Sequence, residues 1–202
     1  MTRSTTGLPM NPPSGSPYVF DPGALCLELL VTGGPGAYAR FEVLHQPRDL
    51  ADWLAVSRLH LDPERVRVTG AELSAARRLR DSLWRVTDAH RAGLPLPRED
   101  VAEVNRAAAR PPLAPAMDTG GVRSWVQPAD ATAVLSAFAR DAVDLFSGDL
   151  ADRVRECGSD DCRLVFVDTS RPGRRRWCSM ERCGNRQKVR ALRARRETGD
   201  PS

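Results

Sequence analysis

The sequence predicts a mainly α-helical protein with a small N-terminal β-hairpin and a C-terminal four-cysteine module built from a second β-hairpin and a basic helix. Three observations carry this. Apolar residues recur every three or four positions in four separate stretches before Gly148. A glycine-rich segment, Thr32-Gly33-Gly34-Pro35-Gly36, parts two short apolar runs near the N-terminus. Four cysteines, Cys157, Cys162, Cys178 and Cys183, follow a C-x4-C pattern, fifteen residues, then C-x4-C.

Taken in order, residues 1–17 are rich in Ser, Thr, Pro and Gly and read as a disordered tail. Val19–Val31 and Ala37–Leu44 read as strands around the glycine-rich turn. That turn lacks the G-K-[ST] ending of a phosphate cradle, so a hairpin is the better reading. Pro47 introduces a helix over Arg48–Leu59, with Leu50, Trp53, Leu54 and Val56 inward. Thr69 and Glu72 form a capping box, and Leu73, Ala76, Leu79, Leu83 and Val86 follow at helical spacing until Gly93 and Pro95 close the element. A third helix covers Arg98–Ala109. A loop or irregular hairpin anchored by Trp125 spans Leu113–Val126. A fourth helix runs from Pro128 to Phe146, burying Val134, Leu135, Phe138, Ala142 and Leu145, and Gly148 ends it. We therefore expect a helical body over residues 18–153, the cysteine module over 154–197 and a short tail over 198–202.

At 202 residues and 41% hydrophobic content the body can bury a core of ordinary size. No Ser-His-Asp, Cys-His or clustered-carboxylate arrangement stands out, so no enzymatic role is expected. His45, His60 and His90 are scattered and read as surface or satisfied core residues; Cys26, in an apolar segment, reads as packing. No secretory signal and no apolar run approaching the ~20 residues of a membrane span is visible, so a cytoplasmic protein with reduced thiols and no membrane partner is expected.

Two thiol pairs, each from one tight turn, are what a tetrahedral metal centre needs. Within the module, Arg163–Asp168 is β-branched and aromatic and reads as a strand. Pro172-Gly173 marks a turn, and Arg174–Trp177 reads as the returning strand. After Ser179 the pattern turns helical, with Cys183 in the first turn and Val189 and Leu192 on an inward face. Knuckle, hairpin and helix in that order are treble-clef-like. Four thiolates without an open position indicate structural Zn2+, and the four-residue gaps fit iron–sulfur spacings poorly.

The charge is uneven. The net value is +4, yet Arg171–Arg196 holds eleven Arg or Lys and one acid, Glu181, leaving 19 basic against 25 acidic residues elsewhere, a net −6. Arg182, Arg186, Arg190 and Arg193 recur along one helical edge, while Arg171, Arg174, Arg175, Arg176 and Lys188 add cations nearby. These nine residues are the expected nucleic-acid contacts, with the net-negative body as the competing counterweight. Asp168 is expected to orient Arg171 or Arg175, Trp177 to pack over the knuckle, Asn185 to cap or bridge locally, and Gly184 to let the backbone approach the metal.

The string Cys157…Cys162, Phe166-Val167-Asp168-Thr169-Ser170-Arg171, Arg175-Arg176-Trp177-Cys178-Ser179-Met180 and Cys183-Gly184-Asn185-Arg186-Gln187-Lys188 resembles the CGNR-type zinc finger. The preceding region resembles the ABATE-type domain through Pro47–Leu54, the Thr69 helix and Leu94–Pro97 leading to Asn105. Where that family carries L-D-F-x-N-T, this chain has Leu27-Glu28-Leu29-Leu30-Val31-Thr32. The resemblance implies a bacterial, stress-linked transcription regulator whose finger binds DNA; the favoured reading adds a helical body that senses a small-molecule or protein effector. An RNA- or ribosome-associated zinc protein and a zinc-stabilised adaptor stay open beside it.

Overall fold

The computed structural model describes residues 7–12 and 16–197. Strands β1 (Leu8–Met10) and β2 (Tyr18–Phe20) come first, then α1 (Leu25–Glu28), which continues as a 3-10 turn over Leu29–Thr32. A second 3-10 segment, Gly36–Phe41, leads to α2 (Pro47–Val56), β3 (Val66–Arg67), α3 (Gly70–Arg91) and α4 (Arg98–Ala108). Next come β4 (Pro115–Met117), β5 (Arg123–Trp125), β6 (Ala129–Asp130) and α5 (Ala131–Ser147). The last elements are β7 (Val154–Glu156), β8 (Val165–Val167), a π-turn over Met180–Gly184 and α6 (Asn185–Glu197). The strands form four two-stranded sheets, β1–β2, β4–β5 and β7–β8 antiparallel and β3–β6 parallel.

Local signals set the long helices. At the start of α3, Thr69 Oγ1 accepts from the Glu72 N–H at 3.2 Å, and Glu72 Oε2 accepts from the Thr69 N–H at 2.8 Å. Each satisfies a donor that the helix cannot. A similar reciprocal pair, Gln46 and Asp49, opens α2. Leu73, Ala76, Leu79, Leu83 and Val86 of α3 are buried, as their spacing requires. Helix α5 packs against α1, α3 and α4, sealing Val134, Phe138, Ala139 and Ala142 from solvent. Val56 is exposed rather than inward, because α2 ends there.

The N-terminal hairpin exists but lies elsewhere than expected. Its strands are Leu8–Met10 and Tyr18–Phe20, so part of the expected tail is paired strand; residues 1–6, 13–15 and 198–202 of the two tails lie outside the described residues. The runs expected as strands, Val19–Val31 and Ala37–Leu44, are largely helical turns instead. Cys26–Leu30 is buried on nearly all sides and has no exposed face to reveal its period, whereas Ala37–Val43 is largely exposed and folds as a 3-10 turn over Gly36–Phe41. The glycine loop is shaped by α3. Arg80, 2% exposed, pairs with both carboxylate oxygens of Glu42 at 2.9 and 2.8 Å and donates to the Thr32 carbonyl at 3.3 Å. Trp84 Nε1 donates to the Gly33 carbonyl at 2.8 Å, and a Cβ on Gly34 would stand 2.4 Å from that nitrogen.

The departure at Leu27–Thr32 is structural here. Glu28 is fully buried and accepts from the Arg58 backbone N–H at 3.0 Å and from Arg58 Nε at 2.5 Å. Burial pushes its carboxyl up although Arg58 opposes the shift. Cys26 is fully buried in α1.

The module is sewn to the body. The Val167 N–H donates to the Pro22 carbonyl at 2.8 Å. Arg91 pairs with Glu156 at 2.5 Å. The second apolar cluster of the molecule joins Tyr18 and Phe20 of β2 to Phe166, Cys157, Cys178 and Cys183. The N-terminal hairpin is thus the apolar cover of the cysteine module.

Candidate metal centre and nucleic-acid interface

The first cysteine pair sits in the turn of the β7–β8 hairpin, in the register Val154↔Val167 and Glu156↔Val165. The Cys157 N–H donates to the Leu164 carbonyl and the Cys162 N–H to the Ser159 carbonyl, both at 2.9 Å. The second pair begins just before the π-turn and ends within it, at Cys183. The extended strand expected at Arg174–Trp177 is absent; β8 pairs with the strand entering the knuckle instead. Residues 168–177 form a loop held by Asp168, which is 1% exposed. Its Oδ1 accepts from the Ser170 N–H at 2.9 Å and the Ser170 hydroxyl at 2.5 Å, and its Oδ2 accepts from the Arg175 N–H at 2.8 Å. Asp168 therefore holds backbone rather than orienting the side chain of Arg171 or Arg175.

Burial pushes the Asp168 carboxyl up, but the bonds from Ser170 and Arg175 outweigh it and hold the group below the usual carboxylate range. Its contribution is therefore complete above the unfolded value near ~3.9 and is lost as pH falls through the lower folded value. Asp168→Ala is expected to cost the module about 2–3 kcal/mol by stranding buried donors. Faster proteolysis of residues 168–177 at neutral pH checks this; an unchanged rate would leave Asp168 without that role.

The four sulfurs all lie within 4.8 Å of one another, with Cys162–Cys178 at 3.8 Å and Cys178–Cys183 at 3.5 Å. Zn–S bonds of about 2.3 Å at tetrahedral angles place sulfurs ~3.8 Å apart, so the set fits zinc. The Cys178 N–H donates to Cys157 Sγ at 3.4 Å. Hydrogen bonds from Cys162 and Cys178 pull the Cys157 thiol down, and the hydrogen bond to Cys157 pushes Cys162 up. One divalent ion resolves that crowding by accepting all four as thiolates. Cys157, Cys162, Cys178 and Cys183 would hold the structural zinc ion of such a finger, whose chemistry there is crosslinking, with no open position for substrate.

Trp177 packs beside this site as expected. A Cβ on Gly158 would lie 3.2 Å from its ring, and one on Gly184 would lie 3.3 Å from its Cδ1 and 2.9 Å from Met180 Sδ. Gly184 thus makes room for Trp177 and Met180 rather than for the metal. Asn185 Nδ2 donates to the Glu181 carbonyl at 3.3 Å, bridging the π-turn to α6.

The expected nucleic-acid contacts divide into two groups. Arg171, Arg174, Arg176, Lys188, Arg190 and Arg193 are exposed. Arg175 is turned inward: Nε donates to the Trp177 carbonyl, Nη2 to the carbonyls of Cys178 and Asp21, and its guanidinium lies 4.0 Å from the Phe166 ring centroid. It braces the finger beside β2, with its Nε and Nη2 donors already committed to backbone carbonyls. Arg186 is half committed, donating from Nη2 to Asp161 Oδ1 at 2.8 Å with Cys183 Sγ 3.4 Å away. Arg190 lies 3.6 Å from the same carboxylate, and Arg182 sits 5.1 Å from the Tyr18 ring centroid. Asp161 also accepts from Ser159 Oγ at 2.8 Å, and these contacts hold its carboxyl below the usual range. Val189 and Leu192, expected to face inward, are 48% and 51% exposed, because α6 runs out past the body.

Sequence reasoning missed Tyr18, Phe20, Ser159 and Asp161. The alternating Tyr18-Val19-Phe20 was a usable strand signal. An acid inside the first C-x4-C gap, opposite a helix with Arg at i and i+4, was a usable pairing signal. His90 is satisfied by Ala151, and His45 and His60 are exposed.

Two family models match the chain. The ABATE model, described as "Putative stress-induced transcription regulator", matches residues 23–149, and the CGNR zinc finger model matches residues 153–196. No curated protein matches it.

Proposed function

Since this chain belongs to the ABATE family and carries a CGNR zinc finger, we propose that it is a stress-linked transcription regulator that binds duplex DNA through the finger and senses an effector through its body. The observation that carries this reading is the surface of α6: Lys188, Val189, Arg190, Leu192 and Arg193 are all exposed on a helix anchored at its base by zinc. Thirteen residues make a rod of about 20 Å, and B-DNA's major groove, about 12 Å wide, admits an α-helix. Arg171, Arg174 and Arg176, on the loop before Cys178, supply phosphate contacts beside it. Val189 and Leu192 are suited to thymine methyl groups, and the same pair is what favours a protein-adaptor role. An RNA role is less well supported: Phe166 is fully buried and Trp177 half-buried, so stacking surface is scarce. The matched families are regulatory and zinc-finger types, and we assign no catalytic residue. Among the described residues no helix is long and apolar enough to cross a membrane. Acting on bacterial DNA places the protein in the cytoplasm, where thiols stay reduced for zinc.

Binding of the zinc-loaded chain to duplex DNA, single-stranded DNA and structured RNA across a salt series tests the proposal. A discrete duplex motif selected from sheared genomic DNA supports it; equal, steeply salt-dependent binding to all three leaves only a polycation. Asp161→Asn is expected to raise duplex affinity roughly fivefold, as releasing an ion pair worth about 1 kcal/mol frees Arg186 and Arg190 for phosphate. Fluorescence anisotropy at fixed salt measures this, and an unchanged affinity would place those two arginines off the DNA.

A further inference from the structure

A cavity of about 370 Å³ lies at the seam between body and finger, within the size range of small-molecule sites. Four separate parts of the chain wall it, one of them the base of α6 with Arg182 and Arg186. The body supplies Val31, Tyr38, Phe41 and Val43; the first knuckle supplies Asp161 through Leu164; the N-terminal hairpin supplies Met10 and Tyr18. The hairpin precedes both family-matched ranges. One wall is preorganised: Tyr38 stacks on Trp84 with ring centroids 3.8 Å apart and planes 12° from parallel, and Trp84 is tied to Gly33.

The rim has one usable sign of charge. Its two carboxylates are already engaged, Glu42 by Arg80 and Asp161 by Arg186. Arg163 pairs with Glu156, which Arg91 also contacts, and Arg91 pairs with Asp88 as well, so these four charges balance one another. Among the described residues neither Arg40, poised 4.6 Å from the Phe41 ring centroid, nor Arg182 has a carboxylate partner. Aromatic walls beneath spare guanidinium groups complement a flat molecule with a negative group.

We propose that this seam binds a small aromatic anion, about one or two rings carrying a carboxylate or sulfonate, and that occupancy is transmitted to the finger. The transmission rests on the sensing role proposed above. Its route is short, because the cavity touches the zinc ligand Cys162, the clamp acid Asp161, and Arg182 and Arg186 at the base of α6. An anion that draws Arg186 towards the seam alters the Asp161 clamp. By linkage, duplex DNA and the anion must then change each other's affinity by the same factor.

The test uses the full zinc-loaded chain without nucleic acid, so it reads the seam whether or not the DNA proposal holds. Titration with 8-anilinonaphthalene-1-sulfonate is expected to saturate at one equivalent. 2-Naphthoate should displace it, with neutral 2-naphthalenemethanol about tenfold weaker, the worth of a charge-assisted contact. Phe41→Asp and Val43→Glu, both at half-exposed positions, should each weaken the probe about tenfold by placing a like charge in the site, with zinc content and circular dichroism unchanged. Arg40→Glu should erase the preference for naphthoate over the alcohol. Undiminished probe binding in both wall variants, or equal binding of naphthoate and the alcohol to the unsubstituted chain, would overturn the site. A probe that binds with this residue dependence yet leaves duplex affinity unchanged would overturn the transmission alone.

Discussion

Replacing Cys178 by serine is expected to unfold the finger over residues 154–197 and to release β1–β2 from it, while α2 to α5 stay folded. Cys178 is the hub of the thiol cluster: its Sγ is 3.8 Å from that of Cys162 and 3.5 Å from that of Cys183, and its backbone N–H donates to Cys157 Sγ. Structural zinc contributes on the order of 10 kcal/mol to folding in small modules, more than the few apolar residues around it can replace. Those residues include Tyr18 and Phe20, which is why the loss spreads to the N-terminal hairpin. Metal release measured with a chromophoric chelator, together with hydrogen exchange, should show protection lost over residues 154–197 and strands β1 and β2 only. Cys26→Ala, outside the cluster, should leave the zinc content unchanged. Because thiolates rather than thiols bind the ion, acid should release zinc from the unsubstituted chain and reproduce this pattern. Unchanged protection in the finger after metal removal would refute a structural role for zinc.

The second large effect is expected from reversing charge at Arg190 and Arg193. Both are exposed on the part of α6 that leaves the body, so the finger should keep its fold and zinc. If each meets one phosphate, the salt-dependence slope should fall by about 1.8 in all, at roughly 0.9 per contact. Duplex affinity at low salt should drop about a hundredfold or more, since two attractions become two repulsions. Arg175→Ala provides the contrast. Its guanidinium serves carbonyls of Cys178, Trp177 and Asp21, so the expected loss is in finger stability, with the slope unaltered in the molecules that remain folded. An unaltered slope in the α6 double variant would remove that helix from the DNA interface.

Much of this was legible before any coordinates. Thr69 and Glu72 announce α3 because a capping box acts within four residues and needs no tertiary partner. The four cysteines are as readable, since two tight pairs of one ligand type leave few alternatives to a tetrahedral site. Less legible were positions whose role depends on a distant neighbour. Arg175 and Arg176 are adjacent and chemically identical, yet one faces carbonyls inside the finger and the other solvent. Val189 and Leu192 have the spacing of an inward face but no surface to meet, because α6 extends beyond the body. The run Leu25–Val31 took helical turns rather than strand because α3 and α5 bury it from several directions, leaving the choice to packing.

By itself the sequence determined that four long helices precede a four-thiolate zinc module with a cationic end, because capping, periodicity and ligand spacing act over a few residues. Only the tertiary structure decided that Tyr18 and Phe20 roof the zinc site, that Asp161 restrains Arg186 and Arg190, and that a cavity opens between body and finger. Those relations join segments separated by some twenty to more than a hundred positions. No local propensity encodes them; they follow from which apolar faces must share one core and which charges are thereby left opposite one another.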